Sequence, residues 1–229
     1  MGQIKLLIFD LDGTLVDSAP DIISAVNGLL LERDEPPLRE ETITAAIGEG
    51  PKKLVFSLFP ETQDDPFKLR ELEKDFYRFY DQELLKKSRL FPGVEDFLDE
   101  NTIDIALVTN KPERFTRRTV EGLGLTRYKW TSIFSAESLP QRKPDPLPLL
   151  EAATRAGHRP DQCLMIGDGR PDMIAARRAG IHSIAVEFGY MKLEILKSLG
   201  AALTLPSFAD LPRIIRLAEK LSPRPPSLE

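Results

Sequence analysis

The chain has 229 residues, 41% of them hydrophobic and 29% charged, with a formal net charge of −5. That is enough apolar side chain for one large domain, or for a core carrying a smaller inserted domain. An acidic chain without a basic block offers no footprint for nucleic acid or for an anionic membrane, so positive charge for an anionic ligand must be gathered at a site. The single cysteine, Cys163, excludes an intrachain disulfide; it lies in an apolar run and reads as a small core residue. No signal-peptide pattern precedes the first apolar run and no stretch is long enough to span a bilayer, so the expected location is cytoplasmic.

Taken in chain order, residues 4–9 form a short apolar run, interrupted at Lys5 and stopped by acids and Gly13. Its length suits a buried strand. Residues 17–90 read differently, with helical periodicity over 21–31, 39–47, 51–58 and 67–87 and no convincing strand. Phe76, Phe79 and Tyr80 have the spacing of one helix face and are expected to pack in a core. Further short apolar runs follow at 105–108, 133–134, 163–166 and 183–186. Helical stretches at 113–123, 146–156 and 173–179 lie between them and close at Gly124, Gly157 and Gly180. Strands alternating with helices predict an α/β fold, a Rossmann-like parallel sheet with helices on both faces. The core is expected to span 1–16 and 91–221, with an all-helical domain inserted over 17–90, where Pro20 and Pro92 punctuate the chain. The proline-rich tail over 222–229 is expected to be disordered.

Four segments that follow predicted strands carry chemistry. The first is Asp10-Leu11-Asp12-Gly13-Thr14. Two carboxylates leaving the carboxyl end of a buried strand are costly unless used or paired, and open α/β sheets bind ligands at that end. A carboxylate can attack phosphorus, and a second one nearby can protonate the leaving oxygen and later activate water. Asp10-Leu11-Asp12-Gly13 would also serve as a surface turn. In Thr109-Asn110-Lys111, a hydroxyl and the N–H groups of the turn can bind phosphate oxygens, although these residues are equally ordinary at a helix start. Lys143, between Arg142 and Pro144, is placed to neutralise a phosphate and the aspartates, or to stand as a solvated loop lysine. In Gly167-Asp168-Gly169-Arg170-Pro171-Asp172, the two acids suit a hard cation such as Mg²⁺, and also suit the dipole of the helix that follows. Jointly they supply a nucleophile, an acid/base, a hydroxyl, a cation and a metal ligand on one rim, which is what phosphoryl transfer requires.

The ordered set Asp10-x-Asp12-Gly13-Thr14, Thr109-Asn110, Lys143-Pro144 and Gly167-Asp168-x-x-x-Asp172 resembles the haloacid dehalogenase-like phosphohydrolases over nearly the whole chain. Within them the similarity is greatest to the phosphoglycolate phosphatases, carried also by residues 9–20, by Val108-Thr109-Asn110-Lys111-Pro112 and by Gly189-Tyr190. The resemblance implies Asp10 as nucleophile and Asp12 as general acid/base, with Thr109 and Asn110 on the phosphoryl group and Lys143 stabilising charge. It implies Mg²⁺ held by the Asp10 side chain, the Asp12 carbonyl and Asp168, with Asp172 assisting. Gly169 departs from the serine often found there and removes a hydroxyl near the metal.

The resemblance makes the helical insertion a cap. Its segment Ile47-Gly48-Glu49-Gly50-Pro51-Lys52-Lys53 is the expected reach into the site, with Gly50 giving a flexible turn and Lys52 and Lys53 meeting a second anionic group, or standing as surface lysines. His158 and His182 lie outside the motifs. The expected activity is Mg²⁺-dependent hydrolysis of a small phosphate monoester, phosphoglycolate or similar, through an aspartyl-phosphate, by a monomer or homodimer without nucleic-acid or membrane partners. Two alternatives stand beside it. One is a phosphomutase acting on a sugar phosphate, which a cap without histidine disfavours. The other is a catalytically weak phosphate-sensing protein, for which an acid/base would be superfluous.

Overall fold

In the computed structural model, which describes residues 3–223, the first apolar run forms β1 (Leu6–Phe9), buried along its whole length. A short strand β2 (Val16–Asp17) leads into four helices, α1 (Ala19–Glu32), α2 (Glu40–Thr44), α3 (Pro51–Leu58) and α4 (Pro66–Glu83), after which β3 (Arg89–Leu90) pairs antiparallel with β2. There follow α5 (Val94–Glu100), β4 (Asp104–Val108), α6 (Glu113–Gly122), β5 (Trp130–Phe134), α7 (Leu147–Ala156) and β6 (Cys163–Gly167). The chain continues through α8 (Arg170–Ala179), β7 (His182–Val186), α9 (Leu193–Ser198), β8 (Leu203–Leu205) and α10 (Leu211–Ala218).

Six strands form one sheet in the order β5-β4-β1-β6-β7-β8, and every pairing in it is parallel. This is the predicted Rossmann-like α/β fold with a helical insertion. Side chains alternate across β1, as a strand of period two must. Leu7 and Phe9 pack with Val94, Phe97 and Ile214 of α5 and α10, while Leu6 and Ile8 pack with Leu149, Ala152 and Ala176 of α7 and α8. Each large side chain buried this way contributes about 1.5–3 kcal/mol. Strand order reverses at β1, and Phe9 is level with Leu107 and Ile166, so the residues leaving β1, β4 and β6 emerge side by side. That is the switch point at which such sheets bind ligands.

The inserted helices have their own apolar centre, with Val26, Leu29, Leu54, Val55 and Phe76, and Phe115 of α6 joins it. Tyr80 stacks on Phe76 at 5.5 Å and meets Phe115 at 4.8 Å, which seats the insertion on α6.

Several elements differ from expectation. The pair β2 and β3 lies at the neck of the segment in which no strand was expected, because two-residue strands carry no periodicity to read. The helix expected over 39–47 shortens to Glu40–Thr44 and gives way to turns before Gly48, whose φ is 115°. The helix expected to reach residue 87 ends at Glu83, and Leu85 adopts a φ of 70°. The cause is tertiary. Buried Asp21 of α1 accepts the backbone N–H groups of Leu85, Lys87 and Ser88 at 2.8, 2.8 and 3.1 Å, as well as the Ser88 hydroxyl. Asp21→Ala is expected to lower stability by about 3 kcal/mol, since several N–H groups lose their acceptor. An unchanged urea midpoint would show that those groups find other acceptors.

β8, α5, α9 and α10 have no counterpart in the sequence reading. Cys163 is buried, and burial pushes its thiol up to about 12. His158 contacts Asp104 at 2.8 Å and His182 contacts the Ser222 carbonyl at 2.8 Å, both away from the rim described below. Of the tail expected to be disordered, residues 224–229 lie outside the described residues. Among the described residues no helix is long and apolar enough to cross a membrane.

Candidate active site

The carboxyl end of β1 places Asp10 at the centre of the rim, 4% exposed, its N–H bonded to the Ile166 carbonyl at 3.0 Å. The chain then reverses. The Leu11 carbonyl accepts from Thr14, Leu15 and Val16, and Gly13 at φ 80° donates to the Val16 carbonyl at 2.8 Å. Glycine is needed twice over here, for the positive φ and because a Cβ on Gly13 would collide with the Asp168 carboxylate. Asp12 leaves this turn with its carboxylate held by the Ser18 hydroxyl at 2.6 Å and by Lys111 Nζ at 2.8 Å.

At the end of β4, Thr109, Asn110 and Lys111 are all buried. The Thr109 hydroxyl oxygen accepts the Lys111 N–H at 3.2 Å, which leaves its own hydrogen to donate. Asn110 Nδ2 donates to the Lys143 carbonyl at 3.0 Å and to the Gly48 carbonyl of the insertion at 3.4 Å, while its Oδ1 has no hydrogen-bond partner among the described residues. Lys143 is not a solvated loop lysine. Its ammonium is 1% exposed and lies 2.6 Å from Asp172 Oδ1, 2.9 Å from Asp10 Oδ1 and 2.6 Å from the Val108 carbonyl. Among the described residues Asp10 Oδ1 has no well-aligned donor, and the 2.9 Å approach of Lys143 compensates its charge.

Beyond β6, Asp168 accepts the Tyr190 N–H at 2.9 Å and the Thr14 hydroxyl at 3.2 Å, and Asp172 accepts the Gly169 N–H at 2.9 Å. Oxygens of Asp10, Asp168 and Asp172 lie within 4.8 Å of one another, all three residues buried. Burial, reinforced by Asp172 and opposed by Lys143, pushes the Asp10 carboxyl up to about 7. Burial, then Asp10 and Asp172, holds Asp168 well above the usual carboxylate range. Burial would lower Lys143, but Asp10 and Asp172 outweigh it and raise its pKa. Three carboxylates around one ammonium leave an excess of negative charge that a divalent cation would neutralise. An all-oxygen donor set, the unbonded Asp10 Oδ1 and the glycines that make room for Asp168 fit a hard cation of the Mg²⁺ type.

The sequence-predicted residues Asp10, Asp12, Thr109, Asn110, Lys143, Asp168 and Asp172 thus meet at one rim. Above Asp10 a small cavity of about 40 Å³ lies between core and insertion, bounded below by Asp10, Asp12, Thr109, Asn110 and Lys111. Ile22, Ile47, Gly50, Leu54, Phe76 and Tyr80 of the insertion cover it. Gly50 belongs there because a Cβ would stand 3.1 Å from the Asn110 carbonyl, so the bare backbone lets the insertion lie on the core.

Lys52 and Lys53 do not line this cavity, against the expectation that they meet an anionic group there. Both are exposed, because α3 turns Leu54 and Val55 inward, and Lys53 instead lies 5.1 Å from the Phe56 ring. The cation that does line it is Lys111, which sequence reading named only as a neighbour of Thr109 and Asn110. Its place directly after a strand-end Thr-Asn pair was the available signal. Tyr190 also has a role that spacing could not show. Its phenol oxygen accepts the N–H groups of Ser18 and Ala19 at 2.8 and 2.9 Å and donates to Asp17 at 3.1 Å, tying the neck of the insertion to the Asp168 loop.

Comparison with known proteins agrees with this geometry. The profile of the haloacid dehalogenase-like hydrolases matches residues 7–186. The chain is 36% identical over 214 residues to Phosphoglycolate phosphatase 1 of Pseudomonas aeruginosa, a match covering 90% of this chain and 78% of that protein. It is 37% identical over 218 residues to the phosphoglycolate phosphatase of Chromobacterium violaceum, covering 92% and 96% of the two. The crystal structure of a predicted phosphoglycolate phosphatase from Haemophilus somnus superposes with a TM-score of 0.82 at 29% identity, covering 93% of this chain and 99% of that one.

Proposed function

The chain belongs to the haloacid dehalogenase-like hydrolases and is a phosphoric monoester hydrolase; from that premise we propose that it cleaves a small monoester, phosphoglycolate first among them, through an aspartyl-phosphate on Asp10. The observation that carries this reading is the buried set of Asp10, Lys143, Asp168 and Asp172, with Asp12 opening on the same cavity.

An oxygen of Asp10 attacks phosphorus as the ester P–O bond breaks, and Asp12 gives its proton to the departing oxygen. Asp12 then takes a proton from the water that releases phosphate from Asp10. The Thr109 hydroxyl and the Asn110 region hold the phosphoryl oxygens, and Lys143 offsets charge between Asp10 and Asp172. Asp10, Asp168 and Asp172, with the Asp12 carbonyl, would hold Mg²⁺, which when bound neutralises phosphoryl charge. Residues 17–90 serve as a cap that excludes water and limits the leaving group.

The direct test is release of inorganic phosphate from phosphoglycolate and p-nitrophenyl phosphate. Turnover is expected with MgCl₂, at background in EDTA, and restored by added Mg²⁺. Turnover indifferent to EDTA would refute the metal assignment. An isomerised sugar phosphate in place of free phosphate would point to the mutase alternative.

A further inference from the structure

Lys111 is the one ammonium among the described residues lining the cavity above Asp10. Its side chain is 3% exposed. Nζ donates to Asp12 Oδ1 at 2.8 Å, to Asp12 Oδ2 at 3.1 Å and to the Tyr80 hydroxyl at 2.6 Å. Asp12 comes from the core and Tyr80 from α4, so the ammonium is gripped from both sides of the cavity. The Tyr80 oxygen accepts from Lys111, which leaves its own O–H to donate. Beside Tyr80, the insertion's side of the cavity is apolar, with Ile22, Ile47, Leu54 and Phe76, while Asp10, Thr109 and Asn110 form the floor.

Holding Asp12 does not by itself call for a lysine withdrawn from water, because the Ser18 hydroxyl already fixes that carboxylate at 2.6 Å. Above the polar floor that faces the phosphoryl group, this buried ammonium and the phenol are the donors that a carboxylate on the leaving group would find. The space is also small. It measures about 40 Å³. Room of that size favours a short leaving group over a bulky one.

We propose that Lys111 and Tyr80 form the subsite that receives a carboxylate on the leaving group, and so select phosphate esters of short hydroxy acids. This rests on the phosphatase reading above and adds to it the residues that choose the substrate.

The test compares phosphoglycolate with 2-hydroxyethyl phosphate, which replaces the carboxylate by a neutral CH₂OH, using the full chain with Mg²⁺. Wild type is expected to favour phosphoglycolate by about 10- to 100-fold in kcat/KM, the worth of a charge-assisted hydrogen bond. Lys111→Met should bring the two esters within about threefold of each other, and Tyr80→Phe should narrow the gap part of the way. Wild type and Tyr80→Phe carry the test even if Lys111→Met fails to fold. Equal rates on both esters in wild type would overturn the assignment. So would a Lys111→Met loss of the same factor on both, which would leave Lys111 a support for Asp12. Phosphate release from none of these esters nor from p-nitrophenyl phosphate would overturn the phosphatase reading itself, and the subsite with it.

Discussion

Asp10→Asn is expected to abolish phosphate release, by about 10⁴-fold or more, while making the metal-free protein more stable at neutral pH. The two effects share one cause. The Asp10 carboxylate is buried beside Asp172, and burial pushes its carboxyl up to about 7 in the folded chain, against about 3.9 for an aspartate in water. A group whose folded pKa is raised contributes fully below its unfolded pKa and loses that contribution as pH rises through the folded one. Between about pH 4 and pH 7, then, the wild-type protein in EDTA gives up stability that an amide at this position does not. The gap in Tm between variant and wild type should widen across that window and close when Mg²⁺ is added, since a cation bound to the carboxylates stabilises the wild type by mass action. Thermal melts at pH 4.5 and 7.5, with EDTA and with MgCl₂, measure it. Retained turnover in Asp10→Asn would refute the nucleophile, and a gap independent of pH would refute the electrostatic account.

Lys143→Met is expected to cost about 3–5 kcal/mol of stability and to reduce turnover at least about 100-fold. The ammonium is 1% exposed and sits between Asp10 and Asp172 at 2.9 and 2.6 Å. Removing it leaves two buried carboxylates beside a third, Asp168, with no counter-charge between them, which is far worse than never having built the pair. Adding Asp172→Asn to Lys143→Met should recover part of the loss, a coupling read from urea midpoints of the two single variants and the double. Strict additivity of the two changes would show that the three side chains do not act as one cluster.

Which residues border the site was legible from sequence for a local reason. Asp10, Thr109 and Asp168 each follow a buried apolar run directly, so their place at a strand end needs no knowledge of the rest of the chain. Lys143 was legible only through its motif, because it reaches the rim from an irregular segment stiffened by Pro144 and Pro146. Lys52 and Lys53 show the limit of that approach. Basic residues after a glycine turn looked directed at the site, yet the direction of a helical side chain is set by which face of α3 is buried, and Leu54 and Val55 take that face.

The sequence by itself determined the alternation of strand and helix, the parallel core, the helical insertion after the first motif and the residues that leave the strand ends, because each follows from local periodicity and from the cost of burying charge. The tertiary structure alone decided strand order about β1, the early end of α4 on the Asp21 carboxylate, the antiparallel neck of β2 and β3, and the burial of Lys111 between Asp12 and Tyr80. These depend on partners 31 to 99 positions away for Lys111, and 64 to 67 for Asp21. No local pattern encodes a hydrogen bond across that separation, since it forms only when packing brings both partners out of water together.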